Sequence, residues 1–150
     1  MYKRQADSFA ILGGQKTKSG YYVGVVDFDV KNVSEKSVER GNQIIKKLPT
    51  TRTEQTPSGG YHFIFYCRKN PKTISGNRDA IGIELLGKDK LIIMAPSLGY
   101  KVVNVLSPTI IDSLEVTLED AMKKAGVTTK QKNHEKSNKW LFFFDYLSSF

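Results

Sequence analysis

Two carboxylates stand two residues apart at the end of an apolar stretch, YVGVVDFDV (22–30). If the stretch is a β-strand, alternation places Val25, Asp27 and Asp29 on one face and their neighbours on the other. The two carboxylates then project in parallel, about 6–7 Å apart at the backbone. Oxygen ligands at that spacing suit one hard divalent cation such as Mg²⁺, or a pair of them. A strand that ends in water is the alternative, and the D-x-D pattern by itself does not decide between the two.

A second polar group lies in TPSGGYHFIFY (56–66), where a turn leads into a β-prone stretch. Gly59 and Gly60 allow backbone conformations and close approaches that other residues resist. Successive N–H groups in such a turn form an anion-binding concavity, to which the Ser58 hydroxyl adds a donor. His62 is suited to donating to a phosphate or to transferring a proton. An ordinary Gly-Gly turn, followed by a histidine satisfied in the core, is the alternative.

The third polar group is Glu84, which lies between apolar neighbours in IGIELLG. A carboxylate in such a stretch needs a partner, a metal ion or water. A salt bridge to Lys88 or Lys90 would satisfy it, and so would a solvent-facing position on a one-sided sheet. Taken together, however, the three groups occur in an order that allows them to converge on one sheet face. Three carboxylates around two divalent cations, beside a phosphate-binding turn, predict phosphoryl transfer.

The elements that must position these residues alternate between β-prone and helical stretches. Strands are predicted over 8–12 and 21–30, joined by a hairpin-like connection, GGQKTKSG. A helix is predicted after an N-cap at Ser34, and Pro49 marks its exit. The next predicted strand is YHFIFYC, which follows a polar stretch from Thr50.

In the second half of the chain, IGIELLG is a predicted strand, GKDK a turn and KLIIMA the return strand. YKVVNVL is a further β-prone stretch. Thr117 is expected to cap a helix, LEDAMKKA, that closes at Gly126. This order of elements favours an α+β fold with a mostly antiparallel sheet and helices on one face.

Length and composition are those of a globular domain of 150 residues, with 39% hydrophobic and 25% charged residues. The 23 Lys+Arg against 15 Asp+Glu give a net charge of +8. Such an excess favours polyanionic partners, with nucleic acid the commonest, although a Lys-rich surface kept for solubility explains it equally well. The single Cys67 excludes an internal disulfide framework and a multi-cysteine zinc site. No signal-peptide core and no membrane-length apolar stretch occurs, so we expect a cytoplasmic, intracellular protein.

Composition divides the chain into three parts. Residues 1–126 are expected to form the core, and residues 127–139 a polar, basic linker. Residues 140–150, WLFFFDYLSSF, are dense in aromatic side chains. They are the start of a further element, or a helix folded back on the core.

The three motifs resemble those of the archaeo-eukaryotic primase superfamily. The resemblance is to the primase–polymerase (prim-pol) domains of archaeal plasmid, viral and phage-like replication proteins. The family's acidic pair is similar to GVVDFDV (24–30), its Ser-x-His-like motif to TPSGGYHFIFY (56–66), and its later strand acid to IGIELLGKDKLIIMAPS (81–97). The similarity covers residues 8–107 with the motifs in family order. It implies an RRM-like, mostly antiparallel sheet with flanking helices and an active site on the exposed sheet face.

The resemblance also implies a metal-dependent nucleotidyltransferase of DNA replication, a DNA primase and/or DNA polymerase. The implied catalytic residues, which would hold two Mg²⁺ or Mn²⁺ ions, are Asp27, Asp29 and Glu84. The implied nucleotide-binding residues are Ser58, Gly59, Gly60 and His62. The partners would be NTP or dNTP, a single-stranded DNA template and a primer, with a helicase or another replication protein as a further candidate.

The chain departs from the family pattern in its third acid, which is Glu84 rather than the more usual Asp. Family members also usually have a sizeable N-terminal portion before the first core strand. A catalytically weak or inactive module that binds single-stranded DNA or nucleotide is the alternative function. Its stacking surfaces would be Tyr21, Tyr22, Tyr61 and Phe63. A D-x-D glycosyltransferase would explain the acidic pair but would leave the SGGYH turn and Glu84 without a role.

Overall fold

The computed structural model describes residues 8–75 and 78–127 and has the predicted α+β fold. In chain order its elements are β1 Phe9–Leu12, β2 Tyr22–Phe28, α1 Glu35–Ile45, β3 Arg52–Gln55, β4 Tyr61–Cys67, α2 Arg78–Ile81, β5 Ile83–Leu86, β6 Leu91–Met94, β7 Lys101–Val102, β8 Thr109–Ile111 and α3 Leu114–Lys124. The predicted linker and aromatic segment lie, except for Val127, outside the described residues. In the described part of the chain, no helix is long and apolar enough to cross a membrane.

Six of the strands form one sheet in the order β5-β2-β4-β3-β7, with β8 beside β4. All neighbours are antiparallel except β8, which runs parallel to β4. β2 and β4 are the longest pair, in register from Tyr22↔Cys67 to Phe28↔Tyr61. Because β5 flanks β2 and β3 flanks β4, the two central strands carry their side chains in the middle of the sheet.

One face of the sheet packs against the helices. Val26 and Phe28 of β2 point to this side and join a core cluster with residues of all three helices. Gly41 lets α1 come close, since a Cβ there would lie 2.2 Å from the Ile81 carbonyl oxygen and 2.4 Å from the Phe28 ring. The α1 helix begins at the predicted N-cap, where the Ser34 hydroxyl accepts a hydrogen bond from the Ser37 N–H at 3.2 Å.

The opposite face is only partly covered. The β1–β6 ribbon lies over its apolar half, where Val25, Ile64, Leu86 and Ile92 form a second buried cluster. Two residues along the same strands from the first three of these, Asp27, His62 and Glu84 lie on the same face. This second half of the face is where the candidate site lies.

The predicted hairpin between the first two strands is wrong. β1 pairs with β6, from Phe9↔Met94 to Leu12↔Leu91, so KLIIMA returns to β1 rather than to β5. Burial explains the difference, because the pairing lets Ile92 cover the apolar half of the sheet face. Because the two strands are distant in sequence, local turn signals could not predict their pairing.

Three further details differ from the sequence analysis. The α3 helix is capped by Ser113, whose hydroxyl accepts from the Val116 N–H at 3.3 Å, and not by Thr117. Thr117 lies inside the helix and donates to the Ser113 carbonyl oxygen at 2.8 Å. β3 and β8 were not predicted, and YKVVNVL contributes only the two residues of β7. β3 was missed because its sequence, RTEQ, is polar on both faces.

Candidate functional site

A row of four ionisable side chains crosses the sheet. Glu54 of β3 pairs with His62 of β4, His62 pairs with Asp27 of β2, and Asp27 pairs with Glu84 of β5. Directly opposed residues of antiparallel strands share a face. The row therefore lies on the face away from the helices, beside the apolar cluster under the β1–β6 ribbon. Asp27, His62 and Glu84, which the sequence singled out separately, are brought into line by the strand register.

Asp27 and His62 are in contact at the centre of this row. His62 Nε2 lies 3.4 Å from Asp27 Oδ1, and the two side chains are 6% and 20% exposed. The other ring nitrogen of His62, Nδ1, is buried and has no hydrogen-bond partner within the described residues. A buried polar atom without a partner costs free energy, so a ligand or water that pairs with it is stabilising.

Asp29 lies one residue beyond the end of β2, so a loop positions it rather than the strand. Its N–H donates to the Gly82 carbonyl oxygen at 2.7 Å, and its Oδ1 accepts from the Lys31 N–H at 3.0 Å. Gly82 has φ +68°, in the left-handed region that favours glycine, and a Cβ there would lie 2.8 Å from the Asp29 carbonyl oxygen. The short loop before β5 thus fixes the backbone on which the second carboxylate stands.

The Ser-Gly-Gly turn lies against the end of β2. The Gly59 N–H donates to the Thr56 carbonyl oxygen and the Thr56 N–H to the Gly60 carbonyl oxygen, both at 3.0 Å. A Cβ on Gly60 would lie 2.1 Å from the Phe28 carbonyl oxygen, so only glycine allows this approach. The Thr56 and Ser58 hydroxyls are 3.2 Å apart. Two hydroxyl donors therefore stand beside the acidic pair.

These parts form an open cavity of about 290 Å³, lined by Asp27, Asp29, Thr56, Pro57, Ser58, His62 and Tyr100. Four residues singled out from the sequence thus share one cavity, while Gly59 and Gly60 shape its turn. Glu84 adjoins Asp27 in the row but is not among the lining residues. Carboxylates and hydroxyls on the same wall suit a phosphorylated ligand that arrives with its own cation.

The metal ligands stay a prediction. Across residues 8–75 and 78–127, no group of three or more His, Cys, Asp and Glu lies close enough to hold one metal ion. Mg²⁺ is usually bound by one or two carboxylates together with substrate phosphates, rather than by a cage of protein ligands alone. Asp27 and Asp29 supply oxygen donors of the kind such an ion prefers, in the same cavity as the turn.

Two residues of the site were missed by sequence reasoning. Glu54 is 1% exposed. Its Oε2 accepts from the Ala95 N–H at 3.0 Å, and its Oε1 lies 3.7 Å from the Arg52 guanidinium. A single Glu in the polar stretch RTEQ gives no sign of burial, and only its pairing with His62 places it in the row.

Tyr100 is the other missed residue. Its ring centroid lies 5.8 Å from that of His62, with the planes inclined at 44°. Burial raises the pKa of the Tyr100 phenol above its usual value, and the carboxylates of Asp27 and Glu54 raise it further. The phenol therefore keeps its proton throughout the neutral pH range and is available as a hydrogen-bond donor.

The aromatic residues of the alternative function are placed mainly on the other face. Tyr22, Tyr61 and Phe63 pack against the core cluster on the helix side. Tyr21 stacks on Tyr66, with centroids 6.0 Å apart and planes inclined at 13°. Because side chains alternate along each strand, these four residues do not form one stacking platform on the site face.

A protein-family model described as bifunctional DNA primase/polymerase, N-terminal, matches residues 2–115 of the chain. The matched segment runs from β1 to the first residues of α3 and includes the whole cavity wall. A comparison with curated proteins finds no match.

Proposed function

The chain belongs to the Prim-Pol family of bifunctional DNA primase/polymerase N-terminal domains, and from this premise we propose that it is a metal-dependent nucleotidyltransferase of DNA replication. The reaction is template-directed attack of a 3′-hydroxyl on the α-phosphate of an NTP or dNTP, with pyrophosphate leaving. The observation that carries the proposal is the common cavity of Asp27, Asp29, Ser58 and His62.

The Ser-Gly-Gly turn and His62 bind the triphosphate in this proposal. Ser58 and Thr56 offer hydroxyl donors, and the Gly59–Gly60 backbone lies close enough to the end of β2 to hold the phosphates near the carboxylates. His62 is held by its contact with Asp27 and lines the cavity that the phosphates would occupy. Fixed donors of this kind stabilise charge without reorganising during the reaction.

The acidic residues would hold the divalent cations, Mg²⁺ or Mn²⁺, in this proposal. Asp27 and Asp29 supply the carboxylates that line the cavity, and Glu84 adds a third from the neighbouring strand. When bound, two such ions neutralise phosphate charge and assist both the attacking and the leaving oxygen. Glu84 lies opposite Asp27 on β5, the strand on the other side of β2 from His62.

The net charge of +8 supports a DNA template and primer as partners. Lys and Arg side chains that neutralise backbone phosphates release counterions, so binding of this kind weakens steeply as salt rises. We place the protein inside the cell, at replicating DNA, and we regard an archaeal plasmid or virus as its origin and a helicase as a candidate partner.

The test is incorporation of labelled dNTP and NTP on a primed and on an unprimed single-stranded template, with Mg²⁺ and with Mn²⁺. We expect Asp27→Asn, Asp29→Asn and Glu84→Gln to lose more than about 100-fold in incorporation, since even partners of metal ligands contribute up to about that factor. Asp120→Asn is the matched control, because Asp120 is an exposed carboxylate on α3. It should retain the activity of the parent.

Circular dichroism and thermal unfolding of each variant separate loss of chemistry from loss of fold. A parent protein that binds single-stranded DNA but incorporates no nucleotide under any condition would support the binding module instead. Full activity in Asp27→Asn would refute the proposed centre.

A further inference from the structure

Tyr100 reaches the cavity from the strap, by which we mean residues 95–100, the connection from β6 to β7. The strap is held at its start by Glu54, whose Oε2 accepts from the Ala95 N–H at 3.0 Å. Ser97 ties it to β1, since its hydroxyl accepts from the Phe9 N–H at 2.6 Å and lies 3.1 Å from the Phe9 carbonyl oxygen. These bonds fix the connection that carries Tyr100 before any ligand is present.

The end of the strap is fixed as well. The Tyr100 N–H donates to the Ser97 carbonyl oxygen at 3.0 Å. Gly99 packs on Pro57, where an added Cβ would lie 3.0 Å from two proline side-chain carbons. The strap therefore rests on the Ser-Gly-Gly turn, and a donor on the strap and the donors of the turn keep a fixed spacing.

An anionic ligand in this cavity needs more hydrogen-bond donors than the Ser-Gly-Gly turn supplies. Of the lining side chains, those of Asp27 and Asp29 offer only acceptors when ionised, and that of Pro57 offers neither donor nor acceptor. The side chains that can donate a hydrogen bond to an anionic ligand here are the two turn hydroxyls, the Tyr100 phenol and, through a ring N–H, His62. His62 is nine-tenths buried, lines the cavity and has its Nδ1 unpartnered within the described residues, so a polar group that pairs with it at this wall is stabilising.

We propose that Tyr100 is a nucleotide-binding residue, whose phenol O–H donates a hydrogen bond to the phosphate chain of the nucleoside triphosphate. The inference rests on the proposed function and adds to it a contact from outside the three sequence motifs. Tyr100 and His62 then bind the same phosphate chain from adjacent rings, 5.8 Å apart between centroids. Glu54 is a positioning residue in this arrangement, because it holds the strap without lining the cavity.

The test measures binding of dATP, ATP and inorganic tripolyphosphate, each with Mg²⁺, by calorimetry on the full chain. Tyr100→Phe removes only the hydroxyl, so we expect it to weaken binding of all three ligands by about 10-fold, the effect of one hydrogen bond to a charged group. Tyr66→Phe is the matched control. The Tyr66 ring stacks on that of Tyr21 and does not line the cavity, so the variant should bind like the parent.

Each other outcome overturns the phosphate contact in a different way. If Tyr100→Phe weakens dATP and ATP but not tripolyphosphate, the hydroxyl contacts the sugar or base. If Tyr100→Phe binds like the parent while Tyr100→Ala binds more weakly, the ring contacts the ligand and the hydroxyl does not contribute to binding. Equal binding by the parent and both variants removes Tyr100 from the site and leaves the proposed function intact. A parent that binds none of the three ligands overturns the proposed function together with this inference.

Discussion

The two faces of the β2–β4 pair are built from alternating residues of the same strands, yet they differ in kind. On the helix side, Val26, Phe28 and Phe65 are at most 1% exposed and pack into one core cluster with the helices. On the other side, Asp27 and His62 stand in a cavity open to ligand. A shift of one residue along the strand separates a packing position from a polar one.

The packed face allows the fold to hold a row of ionisable groups in the middle of the sheet. The row crosses the four strands β3, β4, β2 and β5 and includes a buried carboxylate, Glu54, and a buried imidazole nitrogen that has no partner among the residues the structure describes. Such features are unfavourable for stability. Burial on the helix side, together with the apolar cluster under the β1–β6 ribbon, offsets them.

The largest expected effect on stability comes from the helix side. Phe28→Ala removes a ring that is 1% exposed and should lower the free energy of unfolding by about 3–5 kcal/mol. Asp27→Asn, one residue earlier and on the other face, should change it by less than about 1 kcal/mol. Urea denaturation of both variants measures the difference. Equal losses would show that the two faces are not separable in this way.

The pH dependence of the free energy of unfolding tests the burial of Cys67 on the helix side. Burial raises the pKa of its thiol to about 12, from 9.0 in an exposed thiol, with the charge of Glu115 contributing less. Because the folded-state pKa is the higher one, the unfolded chain releases this proton first as the pH rises. Stability is then fully present below pH 9 and falls between about pH 9 and 12, by up to about 1.4 kcal/mol per pH unit.

Urea denaturation at several pH values between 8 and about 11 checks this prediction. The parent should lose stability more steeply with pH than Cys67→Ala, because the variant lacks the thiol but keeps every other titrating group. Parallel curves for the two proteins would contradict a thiol buried in the core.

The smallest expected effect on stability comes from Glu54, on the face of the sheet that carries the candidate site. Glu54→Ala leaves the Ala95 N–H without its acceptor and should cost about 1–3 kcal/mol of unfolding free energy. Glu54→Gln keeps an oxygen at the same place and should cost less. Hydrogen exchange at the Ala95 amide distinguishes the two, since it should accelerate in the alanine variant and much less in the glutamine variant. Equal exchange in all three proteins would mean that Glu54 does not hold the strap.

Local sequence signals accounted for the parts of the fold whose interactions are local. The Ser34 cap, the β-prone stretches that became β2, β4 and β5, and the Gly-Gly turn all depend on neighbours within a few residues. The partner of β1 could not be found in this way, because β6 is some 80 residues distant and the choice depends on burial of Ile92. The α3 cap was misplaced because Ser113 and Thr117 are both acceptable capping residues, and packing of Leu114 selects the earlier one.

The sequence by itself singled out the acidic and donor side chains of the three motifs, and it determined on which side of β2 Asp27 stands. Alternation along β2 was enough to set Asp27 apart from Val26 and Phe28. Only the tertiary structure decided that Asp27, His62 and Glu84 share one row, because register between strands is a property of their pairing and not of any one strand. The tertiary structure also added Glu54, which β3 positions, and Tyr100, which the strap positions. Neither a polar strand nor a fixed connection can be recognised from the local pattern of residues.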